Sequence, residues 1–214
     1  LPLGVGVQDH GNGIVYRNDP WWPELRPRLR AEFGWPPPDV SRLRDMVSYV
    51  DPAVEGRQAP LLKVDRWIQG QPVEPLHKGK VTLLHFSSGS LWNPNPGYAA
   101  ALKGLYAAYQ KLGLQIVGIN THKEDITEDV RTLRELQIPW PVAVDSKGDE
   151  SPHGATFEVF ALKSYASQVL VDLTGKIRLV QQGKLLQQVR ELLKSAGTEQ
   201  VPELTTDRQR EVND

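Results

Sequence analysis

Apolar positions in residues 57–196 follow two repeats, a period of two or a continuous run for strands and a period near 3.6 for helices, and the change from one to the other marks each element. Leu61–Ile68 reads as a strand, followed by a Gly-Gln-Pro turn and a loop to Gly79. Val81–Ser87 (VTLLHFS) is a buried strand. The next segment places Tyr98, Ala101, Leu102, Leu105, Tyr109 and Leu112 on one helical face, and Gly113 stands where a C′ glycine ends a helix. Leu114–Asn120 is a near-continuous apolar run, the pattern of a central parallel strand covered on both faces. A helix over Thr127–Leu136, acidic in its first turn, leads past Pro139 and Pro141 to a strand at Val142–Asp145. Ala155–Leu162 reads as a brief helix. Gln168–Asp172 and Ile177–Gln182 flank a Leu-Thr-Gly-Lys turn, and Leu185–Ala196 is the last helix, with Leu185, Leu186, Val189, Leu192 and Leu193 facing inward. The order β, β, α, β, α, β, α, β, β, α predicts an α/β fold: a mixed sheet flanked by helices. Val81–Ser87 and Leu114–Asn120 are joined by a helix-length crossover, so they should lie adjacent and parallel.

The first 56 residues read as an N-terminal arm and a short helix. Residues 1–20 are Gly-rich and aperiodic. Trp21, Trp22, Phe33 and Trp35 stand among prolines, and they suit either packing on the main domain or a partner-binding patch. Asp39 has the character of an N-cap, and Val40, Leu43, Val47 and Val50 recur at helical spacing, which predicts a helix over about 40–50, stopped before Pro52. The polar stretch after Asp51 sets a boundary near 56. The main domain spans 57–196, and the polar tail 197–214 reads as disordered.

Composition removes whole classes of function. A net charge of −1 provides no electrostatic footprint for nucleic acid. No apolar run approaches the roughly 18 residues of a membrane span. There are 0 cysteines, so disulfides, thiolate metal sites and thiol catalysis are excluded together. The chain starts at Leu1 and not Met, the expectation for a mature or truncated form; whether a signal or anchor was removed upstream stays open.

Three stretches resemble the redoxin group of the thioredoxin superfamily, the TlpA-like and peroxiredoxin-like thiol–disulfide oxidoreductases. They are GRQAPLLKVDRWIQGQPVEPLHKGKVTLLHF, LGLQIVGINTHKEDITEDVRTLRELQIPWPVAVDSKGD and FALKSYASQVLVDLTGKI, in the family's order and at its spacings over about 57–196. The resemblance implies a thioredoxin-like sheet, and weakly an extracytoplasmic location. It does not bring the family's chemistry with it. The family's Trp-Cys-x-x-Cys loop is best matched in kind by Trp92-Asn93-Pro94-Asn95-Pro96, which puts Asn93 and Pro96 in place of the cysteines; a gapless count from Phe86 puts Leu91 at the nucleophile instead. None of these side chains can attack a disulfide or a peroxide. The family's cis-proline aligns with Ala166. A non-proline cis bond costs about 2.5–4 kcal/mol, so the Tyr165–Ala166 bond is expected to be trans.

Other chemistry finds little support in the sequence. Ser87, Ser88 and Ser90 stand at the carboxyl end of a buried strand that also carries His85, but there is no G-x-S-x-G elbow, and they suit loop hydrogen bonds or a helix cap. His10, His77, His85, His122 and His153 show no metal-ligand spacing; His122 with Glu124 and Asp125 is a solvated loop or, less economically, a metal site. The expectation is therefore no catalytic residue, no metal and no cofactor. The remaining candidate is a groove formed by Leu91, Trp92, Asn93, Pro94, Asn95 and Pro96, facing Trp140, Tyr165 and Ala166, with backbone of 165–168 open to an extended peptide or protein partner and Trp92 as its anchor. A rigid structural turn is the competing reading of the same loop. Three functions stay open: a redox-inactive binding module, a family enzyme working through a partner's cysteine, and a structural module of a larger assembly.

Overall fold

The computed structural model describes residues 41–73, 76, 79–87, 96–121, 123–149 and 153–197. Its elements are β1 (Val64–Gln69), β2 (Val81–Ser87), α1 (Pro96–Tyr109), β3 (Leu114–Asn120), α2 (Thr127–Glu135), β4 (Val142–Asp145), α3 (Ala155–Val159), β5 (Gln168–Val171), β6 (Ile177–Leu179) and α4 (Leu185–Ser195). The order is the one the sequence predicts. The six strands form one sheet, β1-β4-β3-β2-β5-β6. β2 and β3 are parallel neighbours from Val81↔Leu114 to Ser87↔Asn120, as the crossover length requires. β5 runs antiparallel to β2, and β1 antiparallel to β4.

Strand alternation divides the core in two. Val81, Leu83, Ile116, Val142 and Leu170 meet α1 and α4 on a first face, together with Leu133 of α2. Leu84, Phe86, Val117, Ile119 and Val169 meet Phe157, Phe160 and Tyr165 on the second. β2 and β3 sit in the centre with both faces covered, which is why their sequences lack the polar alternation of a half-exposed strand. α1 runs into a 3-10 turn at Gln110–Leu112, and Gly113 ends that turn with a left-handed φ of 104°, the conformation expected of a helix-stopping glycine.

The predicted helix over 40–50 is corrected. Ser41–Asp45 makes a short 3-10 turn, and Met46–Val50 is not helical, with Val50 in an isolated antiparallel bridge to Leu162. Helical spacing puts Leu43 and Val50 inward, but the backbone from 47 onward bonds elsewhere: Gln168 N–H donates to the Val47 carbonyl (3.1 Å), Ser48 N–H to the Val180 carbonyl (2.9 Å) and Lys163 N–H to the Tyr49 carbonyl (2.7 Å). Those tertiary bonds displace the local i−4 bonds of a helix. The same segment continues along β6, where Gly56 and Ala59 donate to the carbonyls of Ile177 and Gly175, so that edge of the sheet is covered by the chain itself. Leu43, Met46, Val50 and Val54 are all buried in the two cores. Asp39, Trp21, Trp22, Phe33, Trp35 and the tail from 198 lie outside the described residues.

Candidate functional site

The carboxyl end of the sheet carries polar residues where the first face would otherwise be apolar. Period-two alternation from Val81 and Leu83 brings His85 and Ser87 onto that face; from Leu114 and Ile116 it brings Gly118 and Asn120; from Leu170 it brings Gln168. Register aligns them into two rows across the strands, Gln168–His85–Gly118 and Ser87–Asn120. His85, Ser87, Asn120 and Gln168 are all buried.

Hydrogen bonding fixes the chemistry of the first row. The Val47 N–H, which can only donate, gives its proton to Gln168 Oε1 at 3.0 Å. The Gln168 amide nitrogen must then face His85 Nδ1, 3.1 Å away, so Nδ1 accepts and the ring proton sits on Nε2. Burial pushes the imidazole pKa down to about 4, which keeps the ring neutral at pH 7. In the second row Ser87 Oγ lies 3.3 Å from Asn120 Oδ1. Asn120 is fully buried, and its Nδ2 has no hydrogen-bond partner among the described residues. A buried donor left without an acceptor costs about 1–3 kcal/mol, and such groups in native proteins call for an explanation.

The residues singled out from the sequence are only partly brought together. Leu91, Trp92, Asn93, Pro94 and Asn95 lie outside the described residues, and Pro96 opens α1. Trp140 is fully buried on the first face, edge-on to Tyr106 with ring centroids 5.7 Å apart, and its carbonyl accepts from Gln69 Nε2 at 2.8 Å. Tyr165 is buried on the second face, its ring centroid 4.7 Å from that of Phe157 and 5.3 Å from that of His153, with its hydroxyl donating to the His153 carbonyl. Burial, reinforced by the neighbouring Asp145 carboxylate, holds that phenol well above the usual tyrosine range. Trp140 and Tyr165 therefore belong to opposite sides of the sheet and do not line one groove. Ala166 is exposed, and its N–H donates to Ser164 Oγ at 3.2 Å.

The backbone expected to accept a partner strand is in part already used. The Ser167 carbonyl accepts from Phe86 N–H (3.0 Å), Gln168 N–H donates to Val47, and Ser48 Oγ donates to the Gln168 carbonyl. The chain's own residues 47–49 occupy this edge, because β6 ends at Leu179 and leaves the start of β5 to be paired by another segment. His122 lies outside the described residues; Asp125 Oδ1 accepts from Thr127 N–H at 2.9 Å, which makes it a turn cap at the start of α2. Sequence reasoning missed Asn120 and the side chain of Gln168. Both sit at strand ends on an inward face, a signal that becomes legible only once the strands are put in register.

A central parallel β2–β3 pair, antiparallel β5 and β6 on one side, and helices on both faces define a thioredoxin-like α/β fold. No family profile matches the chain, and no curated protein does. Solved structures do. A thioredoxin-like superfamily protein aligns at 23% identity and a TM-score of 0.52, covering 68% of this chain and 99% of its own. A candidate protein disulfide isomerase from Bacteroides thetaiotaomicron aligns at 22% and 0.53, covering 70% and 94%. A thiol-disulfide oxidoreductase from Bacteroides fragilis aligns at 24% and 0.50, covering 64% and 99%. The likeness is one of fold, and this chain has no cysteine. No helix among the described residues is long and apolar enough to cross a membrane.

Proposed function

We propose that this protein is a redox-inactive thioredoxin-like domain that binds a peptide or protein partner at the carboxyl end of β2 and β3, with residues 91–96 making the contact and Trp92 anchoring it. The observation that carries this reading is the buried Asn120 Nδ2, a donor without an acceptor among the described residues, in a polar row at the carboxyl end of β2 and β3. Nδ2 has no exposed surface, so a partner's carbonyl satisfies it only when binding displaces the residues that cover it, and the lack of any thiol leaves binding rather than exchange as the use of the site. Edge pairing at Gln168 is not part of the proposal, since residues 47–49 hold that edge. Affinity capture of partners, followed by titration calorimetry with Trp92→Ala and Asn120→Ala, tests it. Both variants should lose affinity about tenfold or more, as removing an interface anchor does. A partner bound equally well by both would refute it.

A second reading has its own observation. The self-pairing of 47–59 with β5 and β6 completes the sheet internally, as a structural module of a larger assembly would need. Absence of any captured partner for the isolated protein, with assembly into a larger complex on co-expression, favours it. The oxidoreductase activity named for the solved structures would require a thiol from a partner, and insulin-disulfide turnover that appears only on adding that partner would support it.

A further inference from the structure

Residues 46–51 form a strap laid over the open end of β5. Ser48 secures it to the residue just past β6, through its N–H to the Val180 carbonyl, and its Oγ accepts in return from Val180 N–H (2.7 Å). Tyr49 N–H donates to Ser167 Oγ (2.9 Å). Val47 differs from these, because its N–H is held by the Gln168 side chain, whose other end is held by His85.

That arrangement has one consistent protonation state. A charged imidazole carries a proton on Nδ1, and it would point at the Gln168 NH2, donor against donor. Turning the Gln168 amide over repairs the contact with the ring but sets NH2 against the Val47 N–H, again donor against donor. No orientation of the amide serves both neighbours of a protonated ring. A hydrogen bond to a charged group is stronger than one between neutral groups, so the ring keeps the amide oxygen and the strap loses it.

We propose that His85 and Gln168 form an acid-operated latch, in which protonation of His85 turns the Gln168 amide and releases the Val47 N–H, leaving the strap held to β5 there only through the Val47 carbonyl. The neighbours of His85 across the sheet are Gly118 on β3 and Gln168 on β5. α1 has one charged residue, Lys103, whose ammonium donates to the Leu136 carbonyl at 2.9 Å. In the turn leading to the strap, Arg42 pairs with Asp45 at 3.4 Å. The low pKa of the ring arises from burial. The latch is therefore closed at neutral pH and opens as pH falls from the unperturbed histidine value near 6.5 toward about 4.

Amide hydrogen exchange by NMR on the full chain tests the latch, between pH 7 and pH 4.5, corrected for the intrinsic pH dependence of exchange. Protection of Val47 should fall about tenfold or more beyond that of Ile116 and Val117 in central β3. His85→Gln keeps an acceptor for the Gln168 amide but cannot titrate in this range, so it should remove the extra fall. Gln168→Glu should do the same for a different reason, since a carboxylate accepts from both the charged ring and Val47 N–H. The wild-type measurement decides the matter even if either variant fails to fold. Parallel loss of protection at Val47 and β3 would overturn the latch, as would an extra fall that persists in a folded Gln168→Glu protein.

Discussion

Replacing Gly154 by alanine puts a methyl carbon into the Asp145 carboxylate. Gly154 has φ 150° and ψ 163°, a region essentially reserved for glycine. A Cβ there would lie 2.4 Å from Oδ2, 2.5 Å from Cγ and 2.8 Å from Cβ of Asp145. Non-bonded contacts involving carbon prefer about 3.5–4.0 Å, so the carboxylate must withdraw by roughly 1 Å. It is not free to do so. Oδ1 accepts from Thr156 N–H at 2.8 Å and Oδ2 from Phe157 N–H at 3.0 Å, and these bonds start α3. Asp145 is fully buried, and burial raises its pKa while the Thr156 and Phe157 N–H groups pull it back down. Losing one such bond costs about 1.5–3 kcal/mol and the backbone strain about 1–3 more. A total near 4 kcal/mol is a large share of the roughly 5–15 kcal/mol that holds a domain folded. At about 2–4 °C per kcal/mol for a chain of this size, the melting temperature should drop by roughly 8–16 °C. The control is Gly183→Ala, which has φ 74° but nothing within 4 Å of its Cβ and so meets only the left-handed penalty of about 1–2 kcal/mol. Differential scanning calorimetry on both variants separates the terms. Melting temperatures within about 2 °C of each other would refute the steric argument.

Three further outcomes can be checked directly. Purified protein should show no disulfide exchange and no peroxide reduction at any pH, because it has no thiol; turnover that survives repurification without an added partner thiol contradicts this. Deleting residues 1–50 removes Leu43, Met46 and Val50 from the cores, at about 1.5–3 kcal/mol each, and should lower the melting temperature sharply; an unchanged value would show that the segment contributes nothing. Asp172→Ala takes away the acceptor for Thr174 N–H, Lys176 N–H and Arg178 Nε in the β5–β6 turn, at about 2 kcal/mol. Burial alone would raise the Asp172 pKa, but those bonds outweigh it and hold it below the ordinary value. Its stabilisation is thus present above the unfolded carboxylate pKa and lost as pH falls through the lower folded one. Urea unfolding at stepped pH should show the wild-type advantage shrinking below about pH 4, and a gap independent of pH would contradict it.

Local pattern was enough wherever an element's own residues decide its state. Val81–Ser87, Leu114–Asn120 and Val142–Asp145 appear with the predicted bounds, because a continuous apolar run of strand length must be buried on both faces wherever it goes. Composition alone excluded thiol chemistry, since no arrangement in space supplies a missing sulfur. Where two elements compete for the same groups, the sequence was silent. The spacing of Leu43, Val47 and Val50 fits a helix, yet Gln168 of β5, Val180 just past β6 and the segment 162–163 offered the backbone of 47–50 better-placed partners, and the strap took them. Trp140, between two prolines, reads equally well as a groove wall or as core; which face of the sheet it meets depends on twist and crossover direction, and these placed it against Tyr106, away from Tyr165. The polar rows depend on register most of all. His85, Asn120 and Gln168 lie 35 and 48 residues apart in turn, each unremarkable at the end of its own strand, and only the pairing of β2 with β3 and β5 brings their side chains onto one buried face, where donors and acceptors must be matched because water is excluded.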